Sequence, residues 1–198
     1  TFTNGTGSYG AVEHTATAAN RELTASDGTL TDASSNPFAI LAASGASDVA
    51  SVSTPSSDIA YASFTSADVT DTDPVVFNLR LRDGGGSADA DPLPTRLSAI
   101  AFTVNDADNV LQKVALYDGT TELDEQPASG TVSFSGFTAE ASDGGTKDLN
   151  LRATFNTTVT DNAQFQFTVS SVTAETDGSG FASADGGGAA SSVSGDDN

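Results

Sequence analysis

From residue 75 onward, apolar and polar residues alternate with a period of two, the spacing of half-buried β-strands. In VVFNLRLR, Val75, Phe77, Leu79 and Leu81 share one face, and Asn78, Arg80 and Arg82 share the other. In LNLRATF, Leu149, Leu151, Ala153 and Phe155 alternate with Asn150, Arg152 and Thr154. In QFQFTV, Phe165, Phe167 and Val169 point one way and the glutamines the other. Further strands are expected over residues 49–53, 59–64, 97–104, 110–117 and 131–134. Asp118-Gly119, between VALY and TTEL, and Asp27-Gly28, between RELTAS and TLT, read as two-residue hairpin turns. No window long enough for a helix carries a 3.6-residue stripe. The pattern therefore predicts an all-β chain of short antiparallel strands, one face dry and one wet.

The stretch AASGASD, residues 42–48, reads as a boundary. Residues 42–198 hold enough strands to close a sandwich alone. Residues 1–41 hold only TFTNG, EHTATA, RELTAS and PFAI, about half of an immunoglobulin-like domain. Half a sandwich leaves unpaired edges and an uncovered face. The expectation is that a longer chain, or a neighbouring one, supplies the rest.

Charge narrows the classes of partner. Seven Lys and Arg stand against 27 Asp and Glu, a net charge of −20. Such a surface repels nucleic acid and anionic lipid and attracts cations. The chain has no Cys, so disulfides and thiolate metal sites are excluded. No apolar run reaches the roughly 18 residues of a membrane span, so no membrane insertion is expected. No signal peptide opens the sequence, and Thr1 reads as an internal or processed start. A composition led by Thr, Ser, Ala, Gly and Asp suits strands joined by polar turns and an extracellular setting.

The order LRLRDGGGSADADPLPTRLSAIAFTV, VALYDGTTEL, VSFSGF, DGGTKDLNLRATFNTTVTDNAQFQFTV and GSGFASADGGGAASSVSGDDN resembles repeat modules of very large secreted and surface proteins of Bacteroidota. Those proteins are often exported by the type IX system. LTASDGTLTDASSNPFAI is similar to the closing strands of a bacterial immunoglobulin-like repeat. The resemblance covers residues 65–198 well and 1–41 more loosely. It implies tandem immunoglobulin-like β-sandwiches, secretion to the cell surface, and a stalk, adhesive or fibre role beside neighbouring modules or copies of the same protein. It brings no catalytic residue, and nothing here matches the C-terminal sorting domain of such proteins.

Candidate chemistry centres on RDGGGSADADPLPT, residues 82–95. Asp83, Asp89 and Asp91 lie in a glycine-rich loop, where a flexible backbone can turn carboxylates and carbonyls toward calcium. The spacing fits no EF-hand, and no lysine follows the glycines as in a phosphate cradle. Asp106 and Asp108, in VNDADNV, are the second candidate calcium ligands, and Asp71 and Asp73 form a similar pair. Each such pair also reads as an ordinary turn former. Asp185 opens a second DGGG.

Other chemistry is weak. His14, the single histidine, lies on an alternating segment that points it at solvent, so a Ser-His-Asp site is not expected. Trp is absent, which argues against the aromatic platform of a sugar cleft, although a surface glycan remains a partner class. Arg80, Arg82 and Arg152 read either as a docking stripe for an acidic partner or as cross-strand ion pairs. Lys113 and Lys147 are the only lysines available for an isopeptide bond to Asn or Asp. Asn4 and Asn156 open glycosylation sequons. The reading is a non-enzymatic module of a stalk, adhesin or fibre. Its rivals are a self-assembling filament subunit whose open β edge is completed by a neighbouring copy and, last, a carbohydrate-binding module.

Overall fold

The computed structural model describes residues 18–21, 24–25, 33–34, 38–40, 43–53, 68–106, 108–159 and 163–191. The chain divides into two compact units, Thr1–Ala42 and Ala43–Asn198. The expected strand at 59–64, His14, Asn4 and the Asp27-Gly28 turn lie outside the described residues.

In the first unit, β1 (Ala18–Arg21) pairs antiparallel with β4 (Phe38–Ile40), and β2 (Thr24–Ala25) with β3 (Ala33–Ser34). Among the described residues these strands pair only two by two.

The second unit is a sandwich of two antiparallel sheets. One has five strands in the order β5 (Asp48–Ser53), β6 (Val75–Arg82), β11 (Thr146–Phe155), β8 (Leu111–Asp118), β9 (Thr121–Pro127). The other has β10 (Thr131–Ala141), β7 (Thr95–Asn105) and β12 (Gln166–Ala174). Alternation decides which side chains enter the core. Phe77, Leu79 and Leu81 of β6 and Leu149, Leu151 and Ala153 of β11 are buried against Ile100 and Phe102 of β7, Val132 and Phe134 of β10, and Phe167 and Val169 of β12. Phe102 is the centre of this layer. Its ring meets Phe77 of the opposite sheet at 6.1 Å, Phe134 at 6.0 Å and Phe167 at 6.3 Å, all edge-on. Edge-to-face packing suits the ring quadrupoles and interlocks the sheets.

Several strands depart from the expected bounds, among them β12, which runs on to Ala174 beyond QFQFTV. Strand β10 continues to Ala141 through a bulge between Ser135 and Ala139, where Gly136 takes φ +80°. The glycine that marks a break in the sequence is a bulge in the sheet. The hairpin after β8 pairs Asp118 with Thr121, so its two turn residues are Gly119 and Thr120, one position later than read. Gly119 takes φ +61°, placing glycine first in the turn, as in type II′.

The flanks of the sandwich are closed without regular strands. Residues 178–191 run between β5 and β12 and bond to both. Ser47 N donates to Gly180 O (3.2 Å), Ala182 N to Ser47 O (2.9 Å) and Val49 N to Gly186 O (2.8 Å). On the other side, Val172 N donates to Ala184 O (2.9 Å), Val169 N to Ala189 O (2.8 Å) and Ser191 N to Phe167 O (2.8 Å). Phe181 and Ala189 of this segment pack on the core. At the opposite flank, Asp124 of β9 reaches β10 and accepts from Ser135 N at 3.0 Å.

Candidate metal centre

Antiparallel pairing of β6 with β11 sets Arg82 opposite Thr146, so the turns beyond both strands meet. Asp83 N donates to Gly145 O at 3.0 Å. The turn Asp83–Gly85 needs left-handed backbone at Gly84 (φ +59°) and Gly85 (φ +70°), which their lack of a Cβ permits. A Cβ on Gly84 would also stand 3.1 Å from Asp89 Cβ, so glycine lets Asp89 lie across the turn.

The result is a cluster of three carboxylates from two loops. Asp83, Asp89 and Asp143 each bring an oxygen within 4.8 Å of the others. Asp83 is fully buried; one of its oxygens accepts from the Thr95 hydroxyl at 2.5 Å and the other from Gly144 N at 2.8 Å. These bonds fix its orientation while each oxygen keeps a free lone pair. Asp89 Oδ1 accepts from Asp91 N at 3.3 Å, whereas its Oδ2 is sealed from solvent and has no partner among the described residues. Asp143 is exposed and opens the cluster to water. At no more than 4.8 Å and an effective dielectric near 20, each pair of formal charges repels by about 3.5 kcal/mol or more. The neighbouring cation, Arg82, is held elsewhere: its Nε and Nη2 donate to Asp48 at 2.7 and 2.5 Å. That carboxylate holds the Arg82 guanidinium above its usual value.

The other candidate ligands do not join the cluster. Asp91 is 5% exposed, and its oxygens accept from Ser44 N, Leu93 N (2.7 Å) and the Ser179 hydroxyl (3.2 Å). It ties the entry to the unit to the closing segment 178–191. Asp106 caps its own turn, accepting from Val110 N (2.9 Å) and Leu111 N (3.0 Å), and Asp108 is exposed in that turn. The turn follows the far end of β7, roughly 33 Å from Thr95 at the strand's rise per residue. Asp73 caps another turn, accepting from Thr70 N at 2.6 Å, and Asp185 accepts from Gly187 N at 3.1 Å and the Ser183 hydroxyl at 2.5 Å.

The member of the cluster that sequence reasoning missed is Asp143. A signal for it exists: Asp83-Gly84-Gly85 and Asp143-Gly144-Gly145 are the same triplet, and the structure brings the two copies together.

Among the described residues, Arg80, Arg82, Arg96, Lys113 and Lys147 are ion-paired. Arg80 grips Asp148 through two bonds of 2.5 and 2.7 Å, and Arg96 holds Glu140 and Asp177, each at 2.8 Å. Lys113 Nζ lies 2.8 Å from Asp68 and 2.6 Å from Glu125, and Lys147 lies 2.7 Å from Asp118. The hydrogen bond to Asp68, ahead of that to Glu125, raises the Lys113 pKa, which keeps an ammonium rather than the neutral amine that isopeptide formation needs. Arg152 donates to the Asp73 carbonyl at 2.5 Å and stands 5.6 Å over the Tyr117 ring, on the outer face of the five-stranded sheet. There Tyr117, Ala115 and Val69 form a second, smaller apolar cluster.

Comparison with family models, with curated proteins and with solved structures finds no match to the chain. The class that fold and geometry define is an all-β antiparallel sandwich, acidic, with a carboxylate cluster at one end.

Proposed function

We propose that the chain is a non-enzymatic structural module of an extracellular surface protein, one of a series of immunoglobulin-like sandwiches that build a stalk, adhesin or fibre. The observation that carries this reading is the closure of the sandwich flanks. Residues 178–191 bond to the outer edges of both β5 and β12, and Asp124 inserts a carboxylate beside β10. Edges handled in this way resist edge-to-edge association, which a unit strung in tandem at high local concentration requires. Local pairing of Arg80, Arg82, Arg96, Lys113 and Lys147 leaves most carboxylates without a basic partner. Like charge then keeps successive units soluble and apart.

Among the described residues of the first unit, β1 pairs with β4 and β2 with β3, which is compatible with the filament alternative, in which a neighbouring copy completes that unit by strand addition. A carbohydrate-binding role draws less support. Among the described residues the exposed large apolar side chain is Val52, at 43%, and no aromatic ring is exposed to stack on a sugar.

Two measurements on native material test the reading. Protease shaving of intact cells should release peptides of this chain; their recovery only after lysis would overturn an extracellular role. Denaturing electrophoresis should show a species many times 19.8 kDa; a band at that mass would replace the tandem-module reading with the filament.

A further inference from the structure

We propose that Asp83, Asp89 and Asp143 form a binding site for one divalent cation of the calcium type. Two independent observations converge on it. The first is the geometry: carboxylate oxygens from the β6–β7 loop and the β10–β11 turn lie within 4.8 Å of one another. The second is Asp89 Oδ2, an acceptor sealed from solvent that no donor among the described residues reaches. Buried polar oxygens are almost always satisfied, so an open one on a member of a carboxylate cluster points to a missing positive ligand.

The donor set selects the class of ion. Among the described residues the available atoms are hard oxygens, and the chain has no Cys to supply a thiolate, which disfavours zinc and copper. Calcium takes six to eight oxygens in flexible geometry, whereas magnesium demands a near-ideal octahedron. Three carboxylates from two loops, one of them open to solvent, match the looser requirement, with water and further carboxylate oxygens filling the shell. Asp83 is the anchored ligand, held by Thr95 and Gly144 N. Asp89 is the enclosed ligand, and Asp143 is the exposed one through which an ion enters. The same Thr95 hydroxyl lies 2.6 Å from Ser47 Oγ, and Gly84 N donates to Ser47 Oγ at 3.3 Å. An ion that fixes Asp83 therefore also fixes Ser47, at the entry to the unit.

The test uses the full chain, stripped with chelator and dialysed. Calcium chloride is titrated calorimetrically at 0.15 M salt, and the melting curve is followed in parallel. The expected result is one ion per chain and a Tm rise of about 5–10 °C when calcium stands a hundredfold above Kd. Asp143→Asn, at an exposed position that leaves the fold intact, should weaken binding tenfold or more, and Asp89→Asn should do the same. Asp108→Asn, in the turn at the far end of β7, should leave affinity unchanged. Unchanged heats and Tm at 10 mM calcium would overturn the site. So would calcium binding that Asp108→Asn weakens as much as Asp143→Asn does, because that outcome marks diffuse attraction to an acidic surface.

Discussion

Replacing Phe102 by alanine tests whether the two sheets are locked together by one ring. Phe102 is 0% exposed and touches three other aromatic rings, one on the facing sheet, at 6.0–6.3 Å. Truncating a buried phenylalanine costs about 3–5 kcal/mol, through lost transfer energy and the cavity left behind. Three edge-on contacts, each worth about 0.5–1.5 kcal/mol beyond area burial, place this site at the upper end, about 4–5 kcal/mol. The surrounding strands are hydrogen-bonded on both sides of β7, which limits collapse into the void. For a unit of this length that loss lowers Tm by roughly 8–20 °C. Urea unfolding followed by far-UV circular dichroism gives the value directly, with Val52→Ala, at an exposed position, as the control expected within about 0.5 kcal/mol. A loss below about 2 kcal/mol at unchanged m-value would refute the reasoning. It would mean that the facing sheets hold together without this ring.

Three further outcomes follow from local geometry. Gly178→Ala places a Cβ against the Pro94 carbonyl oxygen, which cannot yield without moving the backbone, and should destabilise by about 1–3 kcal/mol in the same unfolding assay. Gly186→Val combines φ +62° with a Cβ 3.2 Å from both Val172 methyls; it should loosen the closing segment and produce concentration-dependent association in sedimentation velocity, where the parent stays monomeric. A monomeric variant at the highest concentration would separate edge closure from solubility. Burial first, and the hydrogen bond to Glu122 second, push the Tyr117 phenol up to about 12. The folded state thus favours the protonated phenol. Its contribution is complete below the unfolded value near 10 and is lost as pH rises from about 10 toward 12. Stability measured across that window should fall less steeply in Tyr117→Phe than in the parent.

The sequence carried most of the core and about half of the site. Alternation in VVFNLRLR and LNLRATF placed Phe77, Leu79, Leu81, Leu149 and Leu151 inside, because a strand with one buried face must repeat every two residues. The second half of β10 was hidden by Gly136, since a glycine within a strand looks like a break until its neighbour accommodates the bulge. Residues 178–191 were illegible for a different reason. They are held to β5 and β12 by backbone hydrogen bonds in an irregular path, so no hydrophobic period marks them. At the site, Asp83 and Asp89 were readable because one loop holds both. Asp143 is sixty residues away in sequence and arrives only through the register of β6 on β11. Asp91 and Asp106 share the composition of ligands but act as caps, and composition does not distinguish an oxygen facing a backbone N–H from one facing an ion.

The closing segment also imposes an order in time. Strand β5 opens the second unit, and the residues that cover its outer edge lie more than a hundred positions later. A chain that emerges N-terminus first, from a ribosome or a secretion pore, therefore presents β5 uncovered while all the intervening strands assemble. Coverage of that edge waits on residues 178–191, a distant pairing of the kind that slows folding. Until then the half-made unit is a receptor for any extended strand nearby.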